Sequence, residues 1–273
     1  MKAYTKYIEN VNGYTDVYLT VTATQKVAGA NLASEMKKLP FLTEHTNYLS
    51  RILEKYKQIY GLASHILSKN GLGGKVLVII MGDKGLTGDL YPRIAKLAKS
   101  QVGTYSEKIL VGPEGLKYLD EEDIKINGSF NTTQFDEIFN TLYQKFVSEL
   151  KSIDIIYAEP KTLISIQPVL TNILSISSSE SLADNLKTTG LPVLTSTKSE
   201  MTMALVREIL ITGLYASMLK AAISELSART IAMESAAAKT QQIIKKLKFG
   251  YFKDRRLFTT QKQLESFVVL KRT

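Results

Sequence analysis

Gly82-Asp83-Lys84-Gly85-Leu86-Thr87-Gly88 is the stretch whose residue types come nearest to a chemical site. It follows a continuous apolar run, Val76 to Met81, and leads into a helical pattern from about Asp89 to Lys99. Its backbone amides would therefore stand at a helix N-terminus, where anions bind. The spacing fits neither G-x-x-x-x-G-K-[ST] nor G-x-G-x-x-G, and Lys84 precedes the second glycine instead of following the last. A structural tight turn built on Gly82, Gly85 and Gly88 is the simpler reading. The paired carboxylates Glu121-Glu122 fall in a surface turn with no histidine near them in sequence. His45 and His65 lie in an N-terminal helical region and read as solvated or packed side chains, not as ligands. The chain has no cysteine, which excludes disulfides and thiolate metal sites. No catalytic constellation emerges, and no cofactor or metal is expected.

The elements that must position these residues are of two kinds. From Leu194 to Thr273 the chain holds no proline and only two glycines, Gly213 and Gly250. Alternating steps of four and three from Leu205 pass through Ile209, Thr212, Ala216, Leu219, Ile223, Leu226, Thr230, Met233, Ala237, Thr240, Ile244, Leu247 and Tyr251, all apolar, aromatic or threonine. A repeat of 3.5 residues keeps one narrow helix face against a partner through a left-handed supercoil. The spacing predicts one very long helix, roughly 110 Å at about 1.5 Å per residue. Small seam residues such as Ala216 and Ala237 let the partner backbone come close. Glu225 and Arg229 stand one turn apart, at ion-pair spacing.

That partner is sought at the other end of the chain. Residues 1–39 also lack proline, and a stripe runs through Val17, Val21, Thr24, Ala28, Leu32, Met36 and Leu39. Val17 to Thr24 alone alternates like a strand, but its helix-forming flanks favour helix. After Pro40 the helical spacing resumes at Leu42, Leu49, Ile52, Tyr56 and Ile59, as a continuation kinked at the proline.

Between the helical ends the pattern changes. Asn70-Gly71-Leu72-Gly73-Gly74 marks a boundary, and Val76 to Met81 reads as a strand buried on both faces. Further strands are expected at Lys108–Val111, Ile124–Ile126, Ile153–Ala158 and Leu163–Ile166, with helices at Pro113–Leu119 and Thr132–Leu150. Such alternation gives an α/β domain with a largely parallel sheet. Ser177-Ser178-Ser179-Glu180 reads as a loop, and Leu191-Pro192 leads back to the long helix. The expected division is residues 1–70, 71–192 and 193–273.

Net charge is +9, and Lys239 to Thr273 holds ten Lys/Arg against Asp254 and Glu265. The basicity is therefore local, at the end of the long helix, where it serves as a solvated face, a tip among acidic partner surfaces, or a nucleic-acid contact. Met1-Lys2-Ala3-Tyr4 lacks the apolar region of a secretory signal, and the longest charge-free apolar run, Ile209 to Leu219, is too short to span a bilayer, so a soluble protein is expected.

Several stretches resemble the gamma subunit of F-type ATP synthases. The glycine turn is similar to that family's S-D-R-G-L-C-G-G, and Val111-Gly112-Pro113-Glu114-Gly115 to its V-G-x-K-G. Ser224-Glu225-Leu226-Ser227-Ala228-Arg229-Thr230-Ile231-Ala232-Met233 resembles A-S-E-x-x-A-R-M-x-A-M. Tyr251, Lys253, Arg255 and Thr260 fall where the family has Y-N-K-x-R-Q-x-x-I-T, and Leu19, Ala23, Lys26, Val27 and Ala30 can be laid on A-M-E-M-V-A-x-x-K-M-x-x-A. These points run the length of the chain in the family's order.

The resemblance implies an antiparallel two-helix coiled coil of the N- and C-terminal helices, with a Rossmann-like α/β domain inserted between them. It implies a non-catalytic rotor shaft turning inside a hexameric ring of alpha-like and beta-like ATPase subunits, with an epsilon-like subunit and a membrane rotor ring as further partners. Nucleic acid and direct membrane insertion are not expected, and the location implied is peripheral, at the cytoplasmic face of the membrane. Arg255 and Thr260 become ring contacts, joined by Arg256, Lys262, Leu19 and Lys26; Ser224, Glu225, Arg229 and Met233 form the rod motif. Arg256 replaces the family's glutamine and Lys262 a glutamate, and Leu194-Thr195-Ser196 stands where the family has an aromatic-Glu-Pro near the foot. That departure leaves open a gamma-like shaft for a specialised motor without the usual proton-translocating ring, as in wall-less bacteria. A free coiled-coil adaptor or nucleic-acid binder is the second alternative.

Overall fold

The computed structural model describes residues 5–60, 73–119, 124–162, 164–173 and 197–270. Its elements are helices α1 (Thr5–Met36) and α2 (Leu39–Tyr60), strand β1 (Lys75–Ile80), helix α3 (Leu90–Gln101), strands β2 (Glu107–Val111) and β3 (Gly128–Phe130), helix α4 (Phe135–Val147), strands β4 (Ser152–Pro160) and β5 (Ile166–Asn172), and helix α5 (Lys198–Leu270). Short 3₁₀ turns cover Val102–Thr104 and Pro113–Lys117. The chain forms two compact units, residues 31–228 and residues 1–30 with 229–273.

In the first unit the sheet order is β3-β2-β1-β4-β5. The first four strands are parallel, and β5 adds antiparallel to β4 at the edge. Side chains alternate between the faces of a strand. Val76, Val78 and Ile80 accordingly join α4 and the lower part of α5 on one face, with Ile138, Phe146, Val206, Leu210 and Leu214. Leu77 and Ile79 join α3 on the other, with Tyr91, Ile94 and Ala98. Both faces are covered, which is why the β1 run is apolar throughout.

The same unit carries a second contact of α5, with α1 and α2. Leu42 packs with Ala216, Leu219 and Ile223, and Leu49 and Leu53 with Ile209. Tyr56 hydrogen-bonds Thr202, and His45 Nε2 lies 3.0 Å from Glu208 Oε1. Partner numbers fall along one helix as they rise along the other, so the helices run antiparallel. In the second unit Tyr7 lies against Gly250, where an added Cβ would come within 2.9 Å of its ring.

Every position of the seam from Leu205 to Tyr251 is buried or half-buried. The expected stripe holds at Val21, Thr24, Ala28, Leu32 and Leu39 but not at Val17, 48% exposed, or Met36, 38% exposed; the inward file also takes in Tyr7, Val11, Tyr18, Gln25 and Glu35. A file that steps mostly by four drifts off a seam that repeats every 3.5 residues. Pro40 does not kink one helix. α1 ends at Met36, Lys37 and Lys38 turn, and Pro40 sits in the first turn of α2, where its missing N–H has no helical partner to lose.

Two expected strands are displaced. Ile124–Ile126 is irregular; Ile124 is apolar because it enters the core, and the strand begins at Gly128. The Lys161 and Thr162 amides donate to the Ser165 carbonyl between β4 and β5, where the sequence suggested the start of a strand. The last strand is Ile166–Asn172, carrying Pro168 opposite Ala158, and an edge strand tolerates that proline because its outer side needs no donor. His65, Glu121-Glu122, the serine run and Leu191-Pro192 lie outside the described residues. α5 contains a window of mean hydropathy 1.4, apolar enough to cross a bilayer, but 56% of that window is buried within the protein.

Candidate functional site: a filled crevice at the sheet edge

Open α/β sheets bind ligands beyond the carboxyl ends of their strands, where the strand order reverses. Here β2 and β3 lie to one side of β1 and β4 to the other, so the reversal falls between β1 and β4. The glycine turn leaves β1 at that point. Gly82 has no room for a side chain, because a Cβ would stand 2.1 Å from both Glu225 Oε2 and the Tyr91 hydroxyl. Glu225 belongs to α5 and Tyr91, fully buried, to α3. The Tyr91 hydroxyl donates to the Lys84 carbonyl at 3.0 Å and so ties the turn to the helix that follows it.

The neighbouring strand end is closed in the same way. Ser224, fully buried, donates its hydroxyl to the Ala158 carbonyl of β4 at 2.8 Å. Lys220 reaches Glu159 Oε1 at 2.6 Å and lies 5.9 Å above the centre of the Tyr157 ring. Burial would lower the lysine's proton affinity, but the hydrogen bond to Glu159 and the nearby Tyr157 outweigh it and hold the pKa above its ordinary value. The Tyr157 hydroxyl is pushed up, chiefly by burial.

The rest of the turn is braced by its neighbours. The Asp83 carboxylate accepts from the Thr132 amide at 3.1 Å and from the Thr132 hydroxyl. Gly112, at φ +95°, presses on the Met81 carbonyl, 2.3 Å from where its Cβ would be, and a Cβ at Gly85 would lie 2.9 Å from Glu114. Leu86 adopts φ 68°, a left-handed conformation that costs a branched side chain about 1–2 kcal/mol. A carboxylate thus stands where a phosphate cradle would hold an anion, and the turn serves as a seat for α5. Beside it a groove of about 540 Å³ remains, lined by Met81, Thr132, Phe135, Met218 and Leu219 among others.

The structure therefore joins Gly82 of the glycine turn with Ser224 and Glu225 of the rod motif. Tyr91, Ala158 and Lys220 complete the junction and carry no signal in local sequence, since each is an ordinary helix or strand residue. Arg229 and Met233 belong to the other unit, 9% and 7% exposed. Leu19, Lys26, Arg255, Arg256, Thr260 and Lys262 are all exposed there, with the Lys262 ammonium 5.5 Å from the Phe258 ring centre. Among the described residues no group of three or more His, Cys, Asp or Glu is placed to hold a metal ion.

The structure is thus a doubly wound α/β domain whose ligand crevice is filled by its own long helix. Residues 5–264 match the family described as ATP synthase. The ATP synthase gamma chain of Wolbachia sp. subsp. Drosophila simulans is 24% identical over 282 residues, covering 97% of each chain. That of Ruminiclostridium cellulolyticum is 27% identical over 256 residues, 84% of this chain and 86% of the relative. In fold, the chain is similar to one in the Euglena gracilis mitochondrial ATP synthase OSCP/F1/c-ring structure, with TM-score 0.68 and 14% identity over 98% of this chain and 93% of that one. It is also similar to one in the Tetrahymena thermophila central stalk/c-ring structure, with TM-score 0.57 and 17% identity over 80% and 99%. The chain belongs to the ATP synthase family, and the relatives it matches are gamma chains.

Proposed function

We propose that this chain is the rotor shaft of an F-type rotary ATPase, non-catalytic in itself, which turns inside a ring of alpha-like and beta-like subunits and makes their sites cycle through different affinities. The observation that carries the reading is the surface of α5 beyond Arg229. Phe249, Phe252, Leu257, Leu264 and Phe267 are 59–73% exposed there, interleaved with Lys253, Arg255, Arg256 and Lys262. Apolar side chains standing out of a helix in this density require cover, and interleaved cations select a cover carrying acidic groups. Leu19, at 59%, and Lys26 give α1 the same character.

The solved structures this chain resembles are assemblies, one of OSCP, F1 and c-ring and the other of central stalk and c-ring. By the same architecture this chain takes an epsilon-like subunit and a membrane rotor ring as partners and lies peripherally at the cytoplasmic face of the membrane. Catalysis in the ring is coupled to the shaft because each orientation of an asymmetric rod contacts the ring subunits differently. Arg255, Arg256, Thr260 and Lys262 on α5, with Leu19 and Lys26 on α1, are the contacts we assign to the ring.

Purification from the native cell under mild detergent, with mass spectrometry of what accompanies the chain, tests the reading. ATPase ring subunits are expected, and their absence would overturn it. Arg255→Glu should lower ATP turnover of the assembled complex several-fold, because it reverses an exposed contact charge, while the circular dichroism and melting temperature of the free chain stay unchanged. Unaltered turnover would remove Arg255 from the contact set.

A further inference from the structure

The groove beside the glycine turn encloses about 540 Å³, within the range of small-molecule pockets. Ile80, Met81 and Leu219, all buried, line it together with Met218. Phe135 and Tyr215 add an aromatic wall, their rings 6.3 Å apart and edge to face. Two unbranched methionines beside two aromatic rings form an apolar surface that adapts to an apolar body. A second lobe of about 400 Å³ adjoins this one and takes in Asn31, Ser34 and Leu226. Glu35, Ala222 and Glu225 line both lobes, so two carboxylates stand where the apolar lobe meets the more polar one.

Among the described lining residues the one cation is Lys38, with its ammonium 2.8 Å from the Glu35 carboxylate. That pair is half-exposed, of the kind that contributes little. Two carboxylates against one ammonium leave the groove negative, although the chain as a whole carries +9. An anion is therefore repelled here, and a purely apolar ligand would desolvate the carboxylates without compensating them. We propose that the groove is a binding site for an amphiphilic organic cation, its aromatic or aliphatic body seated on Met81, Met218 and Leu219 against the Phe135 ring and its ammonium held between Glu35 and Glu225. The positive charge of the chain disfavours such a ligand elsewhere on the surface, so the local carboxylates select the place. The site lies wholly within residues 31–228 and needs no partner subunit, so it stands or falls apart from the rotor reading.

Tryptamine, tryptophol and indole-3-propionate share one aromatic body and differ in charge, so together they separate the electrostatic part of recognition from the apolar part. Added to the full-length chain labelled with ¹³C at its methionine methyls, tryptamine should shift the signals of Met81 and Met218 and leave that of Met203, far back along α5, in place. It should bind about tenfold tighter than tryptophol, because hydrogen bonds to charged partners are the stronger ones, and indole-3-propionate should not bind. Glu225→Gln should weaken tryptamine several-fold and leave tryptophol unchanged, whereas Ala222→Phe, which fills the wall shared by the two lobes, should abolish both. Equal affinity for tryptamine and tryptophol, tighter binding of indole-3-propionate, or unmoved Met81 and Met218 signals would overturn the assignment, and all three are read on the wild-type chain. Binding to the free chain that disappears in the complex isolated from the cell would show that a partner protein covers the groove, and would overturn it as well.

Discussion

The lower and upper parts of α5 share one helix and one seam but live in different surroundings. From Ile209 to Ala228 the helix is buried on two faces: Ile209, Ala216, Leu219 and Ile223 face α1 and α2, while Leu210, Leu214 and Ser224 face the sheet. From Thr240 to Phe267 the side chains that are not exposed form a single file, Thr240, Ile244, Leu247, Gly250, Tyr251, Asp254 and Phe258. The lower part is therefore fixed by internal packing. The upper part satisfies one narrow seam and leaves the rest of its circumference exposed. Under the proposed rotor reading, anchoring and partner contact are separated along one element, and a change at one should leave the other intact.

The largest effect expected within the chain itself sets one part against the other. Leu210→Ala, at a 1% exposed position facing the sheet, should lower unfolding free energy by about 2–5 kcal/mol, as large-to-small core changes do. Leu257→Ala, at a 59% exposed position, should stay within about 0.5 kcal/mol in the free chain. Urea unfolding of the two variants measures both, and equal losses would dissolve the distinction.

Gly82→Ala comes next. The added methyl must displace the hydroxyl of Tyr91, a fully buried side chain, as well as the Glu225 carboxylate, so about 1–3 kcal/mol should be lost by thermal melting. The α/β domain has its own electrostatic clamp, Glu107 held between Lys145 and Lys151. Hydrogen bonds from these two lysines, Lys145 first, keep the Glu107 pKa below the ordinary carboxylate value. A depressed pKa contributes stability above the unfolded-state value and loses it as pH falls through the folded value. Glu107→Gln should therefore cost about 1 kcal/mol at pH 7, and the gap from wild type should close on acidification below the usual carboxylate range. A gap independent of pH would contradict the clamp. The smallest effect belongs to the second unit. Gly13 in α1 has open space around its Cβ position, so Gly13→Ala should raise stability by about 0.5–1 kcal/mol without touching the sheet.

Much of this division was legible as period. The seam from Leu205 to Tyr251 holds because a 3.5-residue repeat of apolar positions has one geometric solution on a long helix. The α1 stripe was read less well. Its inward file includes Gln25 and Glu35, while Val17 and Val27 point outward, at 48% and 61% exposure, so hydrophobicity alone misplaces the face. Ile124–Ile126 misled because an apolar side chain that enters a core need not lie in a strand, and the strand at Ile166 was placed too early because Ile164 is an exposed turn residue and Pro168 argues against an edge strand that in fact carries it. The proposed ring contacts rest on resemblance, and exposure is what the fold adds to them.

By itself the sequence determined the helical period, the alternation that makes an α/β sheet domain, the basic end of α5, and the glycine-rich turn that follows β1. Each is a local property, carried by residues within a few turns or one strand of each other. Only the tertiary structure decided what the glycine turn is for. Whether Gly82 faces an anion or the carboxylate of Glu225 depends on a contact between segments far apart in the chain, made when α5 packs across the carboxyl ends of β1 and β4 and fills the crevice with Ser224 and Glu225.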